Sequence, residues 1–212
     1  RIDFARVYQA LADCPFAGDI ALPNSFKQAI TGPYAKQWKK AIQSEIRSLK
    51  ERKVFELVDR RSLPSNANVI SAKWVFKIKP RADGSIERFK CRLCARGFLQ
   101  KHGVDYSATF SPVAQATSIK LLLALAASKR MHLRQADIST AFLYGDLPDN
   151  EVVYMECPEG IKHKDGQVLK LKRCLYGLKQ ASSRFFEKLS LVLKRAGYNP
   201  TKSDPCLYRR VY

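Results

Sequence analysis

Between residues 73 and 96 the chain alternates between apolar and cationic side chains, and few folds accept that pattern. In Lys73-Trp74-Val75-Phe76-Lys77-Ile78-Lys79, Trp74, Phe76 and Ile78 share one face, while Lys73, Lys77 and Lys79 share the other. Asp83-Gly84 supplies a turn, and the return run sets Phe89, Cys91 and Leu93 against Lys90, Arg92 and Arg96. A period of two around a turn dipeptide predicts a β-hairpin with one greasy face and one cationic face. Residues 73–101 hold nine basic and two acidic side chains, a local excess of +7. Six basic residues on one face of one hairpin point to phosphate contact rather than to a merely solvated sheet face.

The rest of the chain supplies the hairpin's surroundings. Residues 1–30 carry no clear period and read as a leader or linker. From 34 to 53, Ala35, Trp38, Ala41, Ile42, Ile46 and Leu49 recur at helical spacing after the Gly32-Pro33 breaker, which predicts an amphipathic helix. A polar connection spans about 60–68. A second helix is predicted over roughly 117–129, apolar enough to be largely buried, and 133–136 reads as a short strand ending at Asp137. Residues 152–155 and 168–171 form a second hairpin-like pair. A last helix runs from about 179 to 195, with Phe185, Phe186, Leu189 and Leu193 inward and Gly197 as its stop. Residues 162–195 are a second cationic block, ten basic against two acidic. Helices mixed with antiparallel strands indicate an α+β domain.

Charge narrows the function class. The chain of 212 residues carries 38 Lys and Arg against 19 Asp and Glu, a formal charge of +19. So large an excess attracts a polyanion, nucleic acid above all, by releasing its counterions. Composition alone does not separate specific binding from a generally basic, ribosome-like chain. The longest apolar run, 121–127, falls far short of the ~20 residues that cross a bilayer. No secretory signal opens the chain, so the expectation is an intracellular, reduced protein, in a cytoplasmic particle or the nucleus. Arg1 in first place suggests a piece of a longer chain. Cys91-x-x-Cys94 has half a zinc site's spacing, but no second pair accompanies it. In an alternating run its two sulfurs face opposite ways. All six cysteines (Cys14, Cys91, Cys94, Cys157, Cys174, Cys206) therefore read as thiols, and His102, His132 and His163 as surface or packing residues.

Seven segments, taken together, resemble the reverse transcriptases of Ty1/copia-type retrotransposons. They are Lys73-Trp74-Val75-Phe76-Lys77; Arg88 through Arg96-Gly97-Phe98 with Gln100; Asp105-Tyr106 with Thr109-Phe110-Ser111-Pro112-Val113; Gln135-Ala136-Asp137-Ile138-Ser139-Thr140-Ala141-Phe142-Leu143-Tyr144-Gly145; Tyr154-Met155; Pro158-Glu159-Gly160; and Leu175-Tyr176-Gly177-Leu178-Lys179-Gln180-Ala181. They follow the family's order and spacing from about Pro23 to Tyr208. The resemblance implies a right-hand polymerase fold, with fingers and an incomplete palm over 31–212 and no thumb. It implies template-directed addition of deoxynucleotides to a primer 3′-hydroxyl by a two-metal mechanism. The implied partners are an RNA template and primer, an RNA–DNA hybrid and a dNTP, with no membrane.

The same resemblance assigns candidate residues. The basic hairpin looks like the fingers, with Lys77, Arg88, Lys90 and Arg92 as candidates for the triphosphate; which of them reaches it stays open. Asp137 matches the first catalytic carboxylate, a hard oxygen ligand for Mg²⁺ or Mn²⁺. Phe142 matches the bulky residue under the sugar that excludes a 2′-hydroxyl. Gly177 and Gln180 match the segment that supports the templating base and nucleotide. Ser182, Ser183, Phe185, Phe186, Cys91 and Cys94 depart from the family's usual residues. The family's Tyr-x-Asp-Asp segment, expected soon after Tyr208, does not occur, and no Asp-Asp pair stands anywhere in the sequence. The expectation is a polyprotein fragment inactive as an isolated chain, with a non-catalytic nucleic-acid-binding remnant as the alternative.

Overall fold

The computed structural model describes residues 17–211. Its elements are α1 (Phe26–Thr31), α2 (Ala35–Glu51), β1 (Phe55–Asp59), β2 (Val69–Ile70), β3 (Ala72–Pro80), β4 (Ile86–Ala95), α3 (Ala116–Ser128), β5 (Val153–Glu156), β6 (Gln167–Leu171), α4 (Ala181–Arg195), β7 (Asn199–Pro200) and β8 (Tyr208–Arg209). Strands β3 and β4 form the antiparallel hairpin, and β1, β6, β5 and β2 form a mixed sheet in that order. The pair predicted at 152–155 and 168–171 is β5 with β6, antiparallel. The α+β class is therefore observed. No helix among the described residues is long and apolar enough to cross a membrane.

The predicted amphipathic helix is α2. Trp38, Ile42, Glu45 and Leu49 are its buried stripe, and Trp38 meets Phe76 and Phe89 edge-on, with centroids 5.2 and 4.7 Å away. Helix and hairpin thus share one aromatic core. On β3 the burial alternates as the sequence requires, with Trp74, Phe76 and Ile78 inside. Gly84, at φ +83°, turns the chain between the strands.

Three expectations need correction. Residues 26–31, read as leader, form α1. Ser25 Oγ accepts the Gln28 N–H at 3.1 Å, and Gln28 Oε1 accepts the Asn24 N–H at 2.7 Å. Ser25 thus caps the helix and Gln28 reaches back one residue beyond that cap, a variant of the capping box on a helix too short to show a period. Ala29 is fully buried, and Phe26 packs on Trp74. Second, α3 is not buried: Ala126 is its one buried residue, and Leu121 is 69% exposed. No described element covers its apolar sides. Third, residues 133–136 form no strand, because no described strand lies alongside to pair their backbone. Cys14 lies outside the described residues; the other five cysteines are free thiols.

Candidate nucleotide cleft

The hairpin's outer face is built in register. Lys77 lies directly opposite Lys90, Lys79 opposite Arg88, and Val75 opposite Arg92. Two like-charged pairs face each other across the ladder, an arrangement that destabilises a hairpin unless an anion lies between them. Lys90 sits in a crowded cationic setting: burial pushes its ammonium below the ordinary lysine range, and repulsion from Arg92, Arg88 and Lys79 adds to it. Beneath this strand, α2 sends up Glu45, which is 8% exposed and accepts the Leu93 N–H at 3.3 Å. Burial raises its carboxyl above the ordinary value, although Arg92, Lys90 and Arg52 pull the other way. The one acid under the cationic face is thus weakened as a counter-ion.

A cleft of about 440 Å³ opens beside that face. Arg88, Lys90 and Arg92 form one wall, residues 137–142 the other, and Tyr176 closes it. Asp137 and Phe142 therefore share a cavity with the cationic hairpin, despite the stretch of chain between them. Thr140, at φ +58° and ψ 35°, turns the chain between these two residues and leads into the short helical turn Ala141–Tyr144. A left-handed β-branched residue is strained by roughly 1–3 kcal/mol, and such strain gathers at functional sites. Thr140 is not legible in the sequence as a special position, because a backbone angle leaves no mark on residue type.

Tyr176, in the Leu175-to-Ala181 segment, is explained by its setting. The Arg92 guanidinium stands over its ring, 4.6 Å from the centroid. Phe142 meets the same ring edge-on at 6.0 Å. The Ala95 N–H donates to the Tyr176 carbonyl at 2.8 Å, so the end of β4 is bonded to the Tyr176 segment. Gly177 and Gly97 permit that approach. A Cβ on Gly177, at φ +88°, would stand 2.2 Å from the Ala95 carbonyl oxygen, and one on Gly97 would stand 2.0 Å from that of Gly177.

The remaining candidates lie outside the cleft lining. Lys77 lines a neighbouring hollow of about 110 Å³ with Lys79, Lys90 and Arg92. Gly177 follows Tyr176 as a close-packing point. Gln180 is fully buried; its Nε2 donates to the Asp105 carbonyl at 2.8 Å and its Oε1 accepts from Gln100 Nε2 at 3.0 Å. In this structure Gln180 ties the start of α4 to residues 100–105. Glu151, singled out by no pattern, is buried under α4, where Arg184 approaches it to 2.7 Å and the Ser107 N–H donates to it at 3.0 Å.

Asp137 is the one carboxylate lining this cleft. Among the described residues no three His, Cys, Asp or Glu side chains gather to hold a metal. The residues present supply one ligand and do not by themselves fit a metal pair.

Comparison with known proteins places this cleft in context. Residues 52–212 match the family described as reverse transcriptase (RNA-dependent DNA polymerase). Over 188 residues the chain is 43% identical to the Pol polyprotein from transposon TNT 1-94 of Nicotiana tabacum, covering 88% of this chain and 14% of that protein. It is 37% identical over 194 residues to that of transposon RE1 of Arabidopsis thaliana, covering 91% and 13%. It is 28% identical over 173 residues to the Ty1-BL Gag-Pol polyprotein of Saccharomyces cerevisiae, covering 80% and 9%. The chain thus spans a small part of the relatives it matches, and no solved structure matches it. On the family match and these identities, the chain belongs to the reverse transcriptase family, with Ty1/copia-type Pol polyproteins among its relatives.

Proposed function

We propose that this chain is the nucleotide-gripping part of a reverse transcriptase, the fingers and adjoining palm of a right-hand polymerase. The observation that carries this reading is the shared cleft, with Arg88, Lys90 and Arg92 facing Asp137 and Phe142. The three cations receive the triphosphate of a dNTP. Arg88 and Arg92 offer planar forks to its oxygens and Lys90 a mobile point charge. Phe142 packs beneath the sugar, where a 2′-hydroxyl would meet the ring. Asp137 would supply one hard carboxylate ligand to a divalent metal, whose chemistry would be to activate the attacking hydroxyl and steady the leaving phosphate. Gly177 lets the Tyr176 segment lie close against the end of β4, and Gln180 fixes the start of α4 to residues 100–105 behind it. Divalent-metal chemistry needs further carboxylates beyond Asp137, so the chain alone is read as binding the nucleotide without joining it to a primer.

A primer-extension assay with Mg²⁺ tests the second half of this reading. The expected result is no incorporation, and incorporation that Asp137→Asn removes would overturn it. Titration with dATP at low salt tests the first half. Lys90→Gln combined with Arg92→Gln is expected to weaken binding at least tenfold, and unchanged affinity would refute the site.

A second reading, a nucleic-acid-binding module, is favoured by the length of the face. From Lys73 to Lys79 the strand rises about 20 Å at ~3.3 Å per residue, longer than three linked phosphates. It predicts binding to an RNA–DNA hybrid that falls steeply with salt, by a log–log slope near −1 per phosphate contacted. Charge reversal at Lys77 and Arg92 should abolish that binding, while Asp137→Asn leaves it intact.

A further inference from the structure

One ring in the cleft touches both residues proposed to receive the two halves of the ligand, Arg92 for the phosphates and Phe142 for the sugar. Arg92 lies on the face of Tyr176, 4.6 Å from its centroid, and Phe142 lies against its edge at 6.0 Å. Tyr176 itself cannot wander: it is 8% exposed, its carbonyl accepts the Ala95 N–H at 2.8 Å, and Cys94 bridges to it. Arg92, by contrast, is an exposed side chain whose cross-strand partner is Val75, which offers it no charge. A long side chain of that kind surrenders rotamer freedom when it grips an anion, unless something has already ordered it. The ring face does so, with the Tyr176 hydroxyl also interacting with the guanidinium, and the planar group suits the face better than an ammonium would.

We propose that Tyr176 is a positioning residue that aims the Arg92 guanidinium at the nucleotide's phosphates through its ring face and seats Phe142 beneath the sugar through its ring edge. The proposal rests on the reading of this cleft as a nucleotide site. It assigns Tyr176 no contact with the ligand and no proton to move. Affinity for the phosphates and preference for a deoxy sugar are then coupled through one aromatic ring.

Calorimetric titration of the whole chain with dATP and with ATP tests this, with circular-dichroism melts confirming that each variant folds. Arg92→Gln is expected to weaken dATP binding about tenfold, and Tyr176→Leu by a similar factor. Tyr176→Phe, which keeps the ring, should restore the loss to within about twofold. The double variant Tyr176→Leu with Arg92→Gln should bind no more weakly than either single variant, because both remove the same preordered group. The preference for dATP over ATP should shrink in Tyr176→Leu and persist in Arg92→Gln. Losses that add in full, or a folded Tyr176→Leu that binds as the unaltered protein does, would overturn the role of Tyr176 alone. If Tyr176→Leu does not fold, Arg92→Lys decides: it keeps the charge and loses the plane, so wild-type affinity in that variant would overturn the role equally. No dATP binding by the unaltered protein, or binding unmoved by Lys90→Gln with Arg92→Gln, would instead remove the nucleotide site itself, and this proposal with it.

Discussion

Two residues near the cleft have properties that neither their type nor their neighbours in sequence disclose. Glu45 sits on the buried stripe of α2, where burial raises its carboxyl above the ordinary value of 4.5. A group whose folded pKa is raised contributes stability that is complete below its unfolded pKa and is lost as pH rises through the folded one. At pH 7 the charged form is therefore a burden on the fold. Glu45→Gln mimics the protonated acid and can still accept the Leu93 N–H. It is expected to raise the melting temperature at pH 7, with the gap closing as pH falls below 4.5; an equal gap at both pH values would contradict the assignment. Gly177 holds φ +88° with the Ala95 carbonyl where a side chain would stand. Gly177→Ala should cost about 1–2 kcal/mol for the left-handed backbone alone, and more for the contact. Denaturant unfolding measures it, and a neutral effect would show that the β4 end and the Tyr176 segment can part without loss.

At the scale of the element, the β3–β4 hairpin trades stability for charge. Its register puts Lys77 opposite Lys90 and Lys79 opposite Arg88, so its cationic face is less stable than an alternating one would be. Lys77→Glu, placing an acid opposite Lys90, is expected to stabilise the fold by roughly 0.2–1 kcal/mol. The same change should weaken hybrid binding and reduce its salt slope by about one unit or more. Thermal melts and salt titrations read the two effects separately. A variant that lost both stability and binding would show that Lys77 packs rather than pairs. The hairpin was legible because the period of two, the Asp-Gly turn and the colour of each face all agree over one local stretch. α1 was missed although its Ser25 and Gln28 are a cap signature, since six residues leave too little room for a helical period.

For the whole molecule, the exposed apolar helix matters as much as the charge of +19. Ile119, Leu121, Leu122, Leu123 and Leu125 are all at least 43% exposed. A helix apolar on every side is normally buried, and so large an open surface invites association. The isolated chain is expected to self-associate and to bind a hydrophobic dye. Leu121→Lys with Leu125→Lys should shift light scattering towards the monomer while leaving the dATP affinity unchanged. A monodisperse, dye-silent wild-type chain would count against this.

The residue order by itself determined the hairpin, the α2 stripe and the identity of the motifs, because each depends on neighbours a few positions apart. It also marked Arg88, Lys90, Arg92, Asp137 and Phe142 as candidates, by residue type and by resemblance. Only the tertiary structure decided that these five share one cleft, that Gln180 is buried on Gln100 and the Asp105 carbonyl outside its lining, and that Tyr176 links two of them. Those facts rest on contacts between segments distant in the chain, and such contacts exist only once a common core has drawn the segments together.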